Sequence, residues 1–375
     1  MHTDHLEDFR VAIEPTAVVD LRRRLAATRW PDQLDGTGWQ LGTDRAELRQ
    51  LCDHWAGAFD FGAFERRCNV YPQVRTVIDG VVVHAIVARS GVADATPLLL
   101  VHGWPGSVAE HFDVIEPLLA HHHVIVASLP GYGFSGPTTQ HGIGVAKIAE
   151  LLVELMRRLG HPVFFLAGGD WGAIIGARLA ADHPTRVLGA HLTMLPVPRP
   201  SGSVKATVTD DEADLRDRAR AVMASGTGYQ AIQSTRPQTL AYGLTDSPAG
   251  LAGWILEKFH AWSDCAGDLA CVFTPDRLLE NISIYWFTGT INSSMRLYHE
   301  GMVNDVTTPH GVVTVPTGHA VFPGEIYHTP RAWAEERYRI VHWTRQPRGG
   351  HFAAMEVPLL YAADVLAFTG TVTGG

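Results

Sequence analysis

The sequence predicts an α/β protein: a mostly parallel β-sheet covered by helices, interrupted late in the chain by a helical block. Three observations carry that expectation. From residue 81 onward, short β-branched runs alternate with amphipathic helical periodicities, as in sheets whose parallel strands are joined by crossover helices. The alternation breaks at the proline-rich stretch 196–200, and residues up to about 310 read as helices and loops. It then resumes for two more strands and a closing helix. A block inserted there is expected to form a cap over the carboxyl edge of the sheet, where ligands bind in such folds.

Composition narrows the class. The 375 residues are 46% hydrophobic and 18% charged, enough apolar material for a large core and too little charge for a disordered or coiled-coil chain. Thirty Lys and Arg face thirty-nine Asp and Glu, a net charge of −9. The arginines fall inside amphipathic stretches instead of a basic tract, which argues against nucleic acid as a partner. The amino terminus is acidic before any apolar run, and no segment reaches the ~18 uninterrupted apolar residues of a membrane span. Neither a signal peptide nor a membrane anchor is expected. Cys52, Cys68, Cys265 and Cys271 form no CxxC pair, so they read as free thiols of a cytoplasmic protein, with no zinc ribbon or dithiol redox site.

Before the alternation, residues 18–28 read as an amphipathic helix that ends by Arg29 or Trp30, because Pro31 disfavours helical backbone at the residue before it. A second helix is expected over 44–57, followed by the aromatic-rich 59–64. Strands are expected at 81–88, 98–101, 124–128, 163–166 and 187–193, with helices at 108–119, 145–159 and 173–181. The run His121-His122-His123 reads as a loop leading into a strand in preference to a metal site. After the cap come strand 312–315, a helix near 331–337, strand 339–343 and a helix over 352–368.

GGDWG at 168–172 follows a predicted strand and precedes a predicted helix. Small residues flanking a central nucleophile in that context define a nucleophile elbow, a tight turn that exposes the middle side chain. Asp170 stands where ester and peptide hydrolases carry serine. A carboxylate there suits attack on a saturated carbon with a strained or good leaving group, which yields an ordinary alkyl ester; attack on an acyl carbon would leave a mixed anhydride. Releasing the ester then requires a general base and an oxyanion hole. His351, in GGHF after the last strand, lies where the base is expected, and the order nucleophile, acid, histidine is that of the α/β-hydrolase fold. The orienting acid is assigned to Glu325: residues 193–209 hold no carboxylate, and Glu325 is the first one after strand 312–315, 26 residues ahead of His351. The rival Asp305 precedes that strand. HGWPG at 102–106 follows another predicted strand, and the N–H of Trp104 is expected to join that of Trp171 in the oxyanion hole, each donor worth roughly 3 kcal/mol.

Together, HGWPGS at 102–107, PGYGFSG at 130–136, GGDWG and RGGHFAAMEVPLL at 348–360 resemble the epoxide hydrolases of the microsomal type. LAATRWP at 25–31, Phe59-Asp60 and the stretch 69–80 resemble that family's N-terminal region, so the likeness covers nearly the whole chain. It implies an α/β-hydrolase fold in four parts: an N-terminal wrapping region at 1–90, core at 91–196, helical cap at 197–310 and core again at 311–375. It implies hydrolysis of an epoxide to a vicinal diol through a covalent ester on Asp170, with a small epoxide and water as partners, no cofactor and no metal. A soluble version, without the hydrophobic anchor of microsomal relatives, is expected. The resemblance also assigns Tyr229 and Tyr298 as ring-opening residues; from the residues alone either reads as a packing aromatic. Phenols suit that task, because with a pKa near 10 they stay protonated at neutral pH and can donate to the epoxide oxygen. Trp254, Phe259, Trp262, Tyr285, Trp286 and Phe287 read both as lining for an aryl epoxide and as helix-packing core. The nearest rival is a haloalkane or haloacid dehalogenase using the same Asp, Glu and His, with Trp171 and Trp104 as halide donors. A non-catalytic ligand receptor would be expected to lack a triad member.

Overall fold

The computed structural model describes residues 5–195, 197, 208–303 and 311–374. Its strands are β1 (Glu7–Phe9), β2 (Gln73–Ile78), β3 (Val81–Ala88), β4 (Thr96–Val101), β5 (His122–Ser128), β6 (Phe164–Gly168), β7 (Val187–Leu192), β8 (Val313–Val321) and β9 (Tyr338–Arg345). Among the described residues they form one sheet in the order β1-β2-β3-β5-β4-β6-β7-β8-β9. Pairing is antiparallel from β1 to β5 and parallel from β5 through β4 to β9. The architecture is the mostly parallel α/β-hydrolase sheet that the alternation predicts.

Burial explains which strands the sequence reveals. Leu98 to Leu100 in β4 are fully buried and every residue of β6 is buried, because parallel strands covered on both faces read as continuous apolar runs. From β4 the chain steps to β5 on one side, and later to β6 on the other. Loops leaving the carboxyl ends of β4 and β6 therefore part and open a crevice at that edge.

Several expectations are corrected. β1 and β2 are strands that sequence patterning misses: β1 has three residues, two of them acidic, and owes its pairing to β2. The span 108–119 is not one helix but a 3-10 turn, Val108–His111, and a short helix, Ile115–Leu118. Pro117 has no N–H to donate back to Asp113, so a continuous ladder cannot run through it. Residues 59–64 lead into a helix, Phe61–Cys68, whose first turn is capped by Asp60 through the Ala63 N–H. His122 and His123 belong to β5, and His122 bonds the Thr96 carbonyl and Thr369 hydroxyl. β8 runs well past 315, because its ladder accommodates Pro316 and Gly318 by shifting register there. The helix near 331–337 stops at Ala334. The final helical stretch is broken into Ala353–Glu356 and Pro358–Thr373, as expected for the residue before a proline.

Among the described residues six α-helices lie between β7 and β8: Asp210–Gly226, Gly228–Thr235, Pro237–Asp246, Pro248–Trp262, Pro275–Thr288 and Ile291–Val303. Thr209 and Glu212 form a reciprocal capping box at the first, and Pro237, Pro248 and Pro275 open three others, where a missing N–H costs nothing. Residues 196 and 198–200 of the proline-rich break, and Asp305, lie outside the described residues. The N-terminal helices grip this block. Buried Trp55 donates its indole N–H to Ser283 at 3.0 Å, Thr43 donates to the Gly253 carbonyl at 2.7 Å, and Arg24 pairs with Asp246 at 2.7 Å. The four cysteines are unpaired, and no described helix is long and apolar enough to cross a membrane.

Candidate active site

Asp170 follows β6 with φ +49°, a left-handed backbone uncommon outside glycine and characteristic of a strained turn. Its neighbours show why the motif needs small residues: a side chain on Gly172 would meet the Val101 carbonyl oxygen at 2.1 Å, where the following helix crosses the end of β4. The turn lifts the Asp170 carboxylate to the carboxyl edge of the sheet, 16% exposed.

Two loops converge on it. After β4, the Trp104 backbone N–H donates to Asp170 Oδ1 at 2.8 Å. After β9, His351 Nε2 lies 3.3 Å from Asp170 Oδ2. On its other side His351 Nδ1 donates to Glu325 Oε1 at 2.7 Å, and the same oxygen accepts the Ile326 N–H at 2.7 Å. An ionised carboxylate only accepts hydrogen bonds, so Nδ1 carries a proton toward Glu325, and the protonated ring turns its second N–H, on Nε2, toward Asp170. A bridge between Gly324 and Gly350 holds the β8 and β9 loops together. Burial lowers the His351 pKa, but the Glu325 charge and hydrogen bonds to Asp170 and Glu325 outweigh it and hold the imidazole well above its ordinary value. The structure thus brings Asp170, His351 and Glu325 into one line, His351 hydrogen-bonded to Glu325 and 3.3 Å from Asp170. Trp171 follows Asp170 in the first turn of the helix Asp170–Asp182, where backbone N–H groups have no intrahelical acceptor.

Tyr229 and Tyr298 reach the same place from the helices Gly228–Thr235 and Ile291–Val303. Both line a cavity of about 390 Å³ that also holds Asp170. The Trp104 ring stacks on Tyr229 at 5.2 Å and meets Tyr298 edge-on at 5.7 Å. Burial, with the Asp170 charge next, pushes the Tyr229 phenol up; burial, with Tyr229 and Asp170, does the same at Tyr298. Both remain protonated donors at neutral pH.

None of Trp254, Phe259, Trp262, Tyr285, Trp286 and Phe287 lines that cavity. They pack: Phe259 stacks on Phe352 at 4.1 Å, and the Tyr285 hydroxyl donates to the Gly106 carbonyl at 2.7 Å. The apolar wall comes from Ile174, Met194, Met223, Ile326 and Trp333.

Three residues escape sequence reading. Glu356, inside the quoted motif, accepts the N–H groups of Gly350, Phe352 and Asp264, each at 2.9 Å, so it pins both flanks of His351. Lys258, only 4% exposed, places its ammonium 4.5 Å from the Tyr229 ring centroid and pairs with Glu257. Glu110 lies against Gly106, where a side chain would overlap its carboxylate. Burial first, then the Asp170 charge, pushes the Glu110 carboxyl up to about 8 against the opposing effect of His351. Only Glu356 leaves a trace in the sequence, an acid five residues after the histidine.

Fold and site define an α/β-hydrolase with aspartate at the elbow, and the comparisons agree. The alpha/beta hydrolase fold family matches residues 96–228, and the family described as Epoxide hydrolase N terminus matches residues 6–111. A relative from Stigmatella aurantiaca is 41% identical over 95% of this chain and 83% of its own length. Epoxide hydrolase 1 of Oryctolagus cuniculus is 34% identical, covering 99% of this chain and 90% of that protein. The crystal structure of juvenile hormone epoxide hydrolase from Bombyx mori superposes with a TM-score of 0.91 at 31% identity, over 100% of this chain and 96% of that one. The chain belongs to the epoxide hydrolase family, enzymes that hydrolyse the ether bond of an epoxide.

Proposed function

We propose that the enzyme opens its epoxide in two covalent steps. The supporting observation is the division of labour around Asp170: Oδ1 is held by the Trp104 N–H, while Oδ2 is left toward the cavity and His351. In the first step Oδ2 attacks an epoxide carbon and the carbon–oxygen bond of the ring breaks. The departing oxygen accepts hydrogen bonds from Tyr229 and Tyr298 and takes a proton from one of them, leaving a hydroxyalkyl ester on Asp170. In the second step His351 Nε2 removes a proton from water, whose oxygen adds to the ester carbonyl. The oxyanion forms at Oδ1, held by the Trp104 and Trp171 N–H groups, at roughly 3 kcal/mol per donor. Collapse releases the vicinal diol and restores the carboxylate.

The charges suit this order. Asp170 helps to hold the proton on His351 in the free enzyme. Esterification removes that negative charge, so the imidazolium gives up a proton that replaces the one the phenol passed to the departing oxygen, and the ring is neutral when a base is needed. The apolar wall and the indoles of Trp171 and Trp333 favour a bulky apolar epoxide, aryl epoxides included. Unpaired cysteines support a reducing, cytoplasmic setting.

His351→Gln tests the reading. It should consume one equivalent of styrene oxide and accumulate a species whose mass equals enzyme plus epoxide. Halide release from a haloalkane with no diol from styrene oxide would instead assign the site to dehalogenation.

A further inference from the structure

We propose that the cavity carries a second recognition element, a subsite for an anionic group built from Arg216 and Arg220, so that the enzyme takes epoxides with a carboxylate or similarly charged end. This deepens, and rests on, the epoxide reading of Asp170. Both arginines line the cavity that holds Asp170, and Asp170 is the one carboxylate among its described lining residues.

The helix Asp210–Gly226 turns one side to the cavity. Arg216, Ala219, Arg220 and Met223 line the cavity, at the spacing that shares one side of a helix. Glu212 shares that side one turn before Arg216, but its carboxylate accepts the Thr209 and Arg331 backbone N–H groups, each at 2.9 Å, and neither it nor Asp210, Asp211, Asp214 or Asp217 lines the cavity. Two arginines on the cavity side of one helix, with no helix acid among the lining residues, give the chamber a cationic end. Arg216 is braced there, its guanidinium 4.5 Å from the Trp333 ring centroid. Arg220 meets Asp217 at 3.3 Å, both side chains more than 60% exposed at 67% and 72%, a surface pair weak enough to be exchanged for a ligand carboxylate. Burial raises the Tyr327 phenol, and the charges of Arg216 and Arg220 oppose that rise, so the field of both cations reaches the cavity wall.

A substrate that uses both ends has its epoxide between Asp170 and the two phenols, an apolar body along Ile174, Met194 and Met223, and its charged end at the arginines. The test compares ω-epoxyalkanoates of increasing chain length with their primary amides at low ionic strength. At the length that spans the cavity, kcat/KM for the acid should exceed that for the amide by about five- to tenfold, as for one or two partly screened ion pairs. The preference should fall toward one in R216Q/R220Q and return in R216K/R220K; being a ratio taken on one protein sample, it is insensitive to lost folded enzyme. Equal turnover of acid and amide at every length, or a preference that survives R216Q/R220Q, overturns the proposal. Tryptophan fluorescence, with Trp171 and Trp333 in the cavity wall, reads the same ratio for saturated alkanoates and alkanamides without any chemistry. If no epoxide were opened, styrene oxide included, the epoxide reading would fall, and the binding ratio would still decide for or against the anion subsite.

Discussion

At Asp170 the two oxygens of one carboxylate already have different surroundings, one facing a backbone N–H and the other the imidazole. In the proposed mechanism the oxygen facing the imidazole attacks and the one held by the N–H becomes the oxyanion. The same proposal has the two phenols donate to the departing oxygen. Because either can donate alone, Tyr229→Phe or Tyr298→Phe should slow ester formation by about tenfold, and the double variant on the order of a thousandfold; stopped-flow tryptophan fluorescence measures that step directly. At this scale the legible residues are those whose backbone makes an unusual demand. Asp170 and His351 lie in glycine-flanked turns whose pattern announces a strained loop, and Glu325 follows from chain order. Tyr229 and Tyr298 sit in ordinary helices and become visible only by resemblance to a family. Lys258 was illegible, since its site exists only once the cap brings Tyr229 and Trp262 around it.

At the scale of elements, the histidine loop is fastened as much to the cap as to the sheet. The His351 N–H donates to the Trp262 carbonyl and the Gly349 N–H to Asp264, both at 2.9 Å, while Glu356 ties Asp264 to Gly350 and Phe352. Burial pushes the Glu356 carboxyl up to about 7 against those three donors. In Glu356→Gln the amide nitrogen cannot accept, so at least one buried N–H loses its partner, at a cost of about 1–3 kcal/mol in stability. Ester hydrolysis should slow more than ester formation, because only the second step depends on where His351 Nε2 points; single-turnover rates for the two steps check this. A second network joins β7, β9 and the terminal helix. Asp364 accepts from His191 at 2.7 Å, Thr344 at 2.6 Å and His342 at 3.1 Å. Burial raises its pKa, but these hydrogen bonds prevail and bring it from 3.8 down to about 2. A folded pKa below the unfolded one stabilises at pH above the unfolded value, and that stability is lost as pH falls through the folded value. Urea midpoints should therefore drop between pH 3.8 and about 2, and Asp364→Asn should flatten that acid limb by about 2 kcal/mol.

Across the whole molecule, the sheet was readable where strands are buried on both faces and opaque where pairing is imposed from outside. β4 and β6 announce themselves as apolar runs, whereas β1 carries Glu7 and Asp8 and becomes a strand only against β2. Pro316 and Gly318 hid most of β8, since local breakers say nothing about neighbours on both sides that can absorb a register shift. The cap aromatics were ambiguous for a related reason: a helix that is apolar on several sides looks the same whether it faces a ligand or another helix. The structure resolves them as packing, and leaves the chemistry to a chamber formed between sheet edge and cap. The account of that chamber stands on a bond between Asp170 and substrate carbon. One turnover in ¹⁸O-water, with enzyme in excess, followed by mass analysis of the peptide containing residue 170, tests it most directly. The account predicts a heavy oxygen in the Asp170 carboxylate and an unlabelled diol; a labelled diol with an unlabelled enzyme would contradict it.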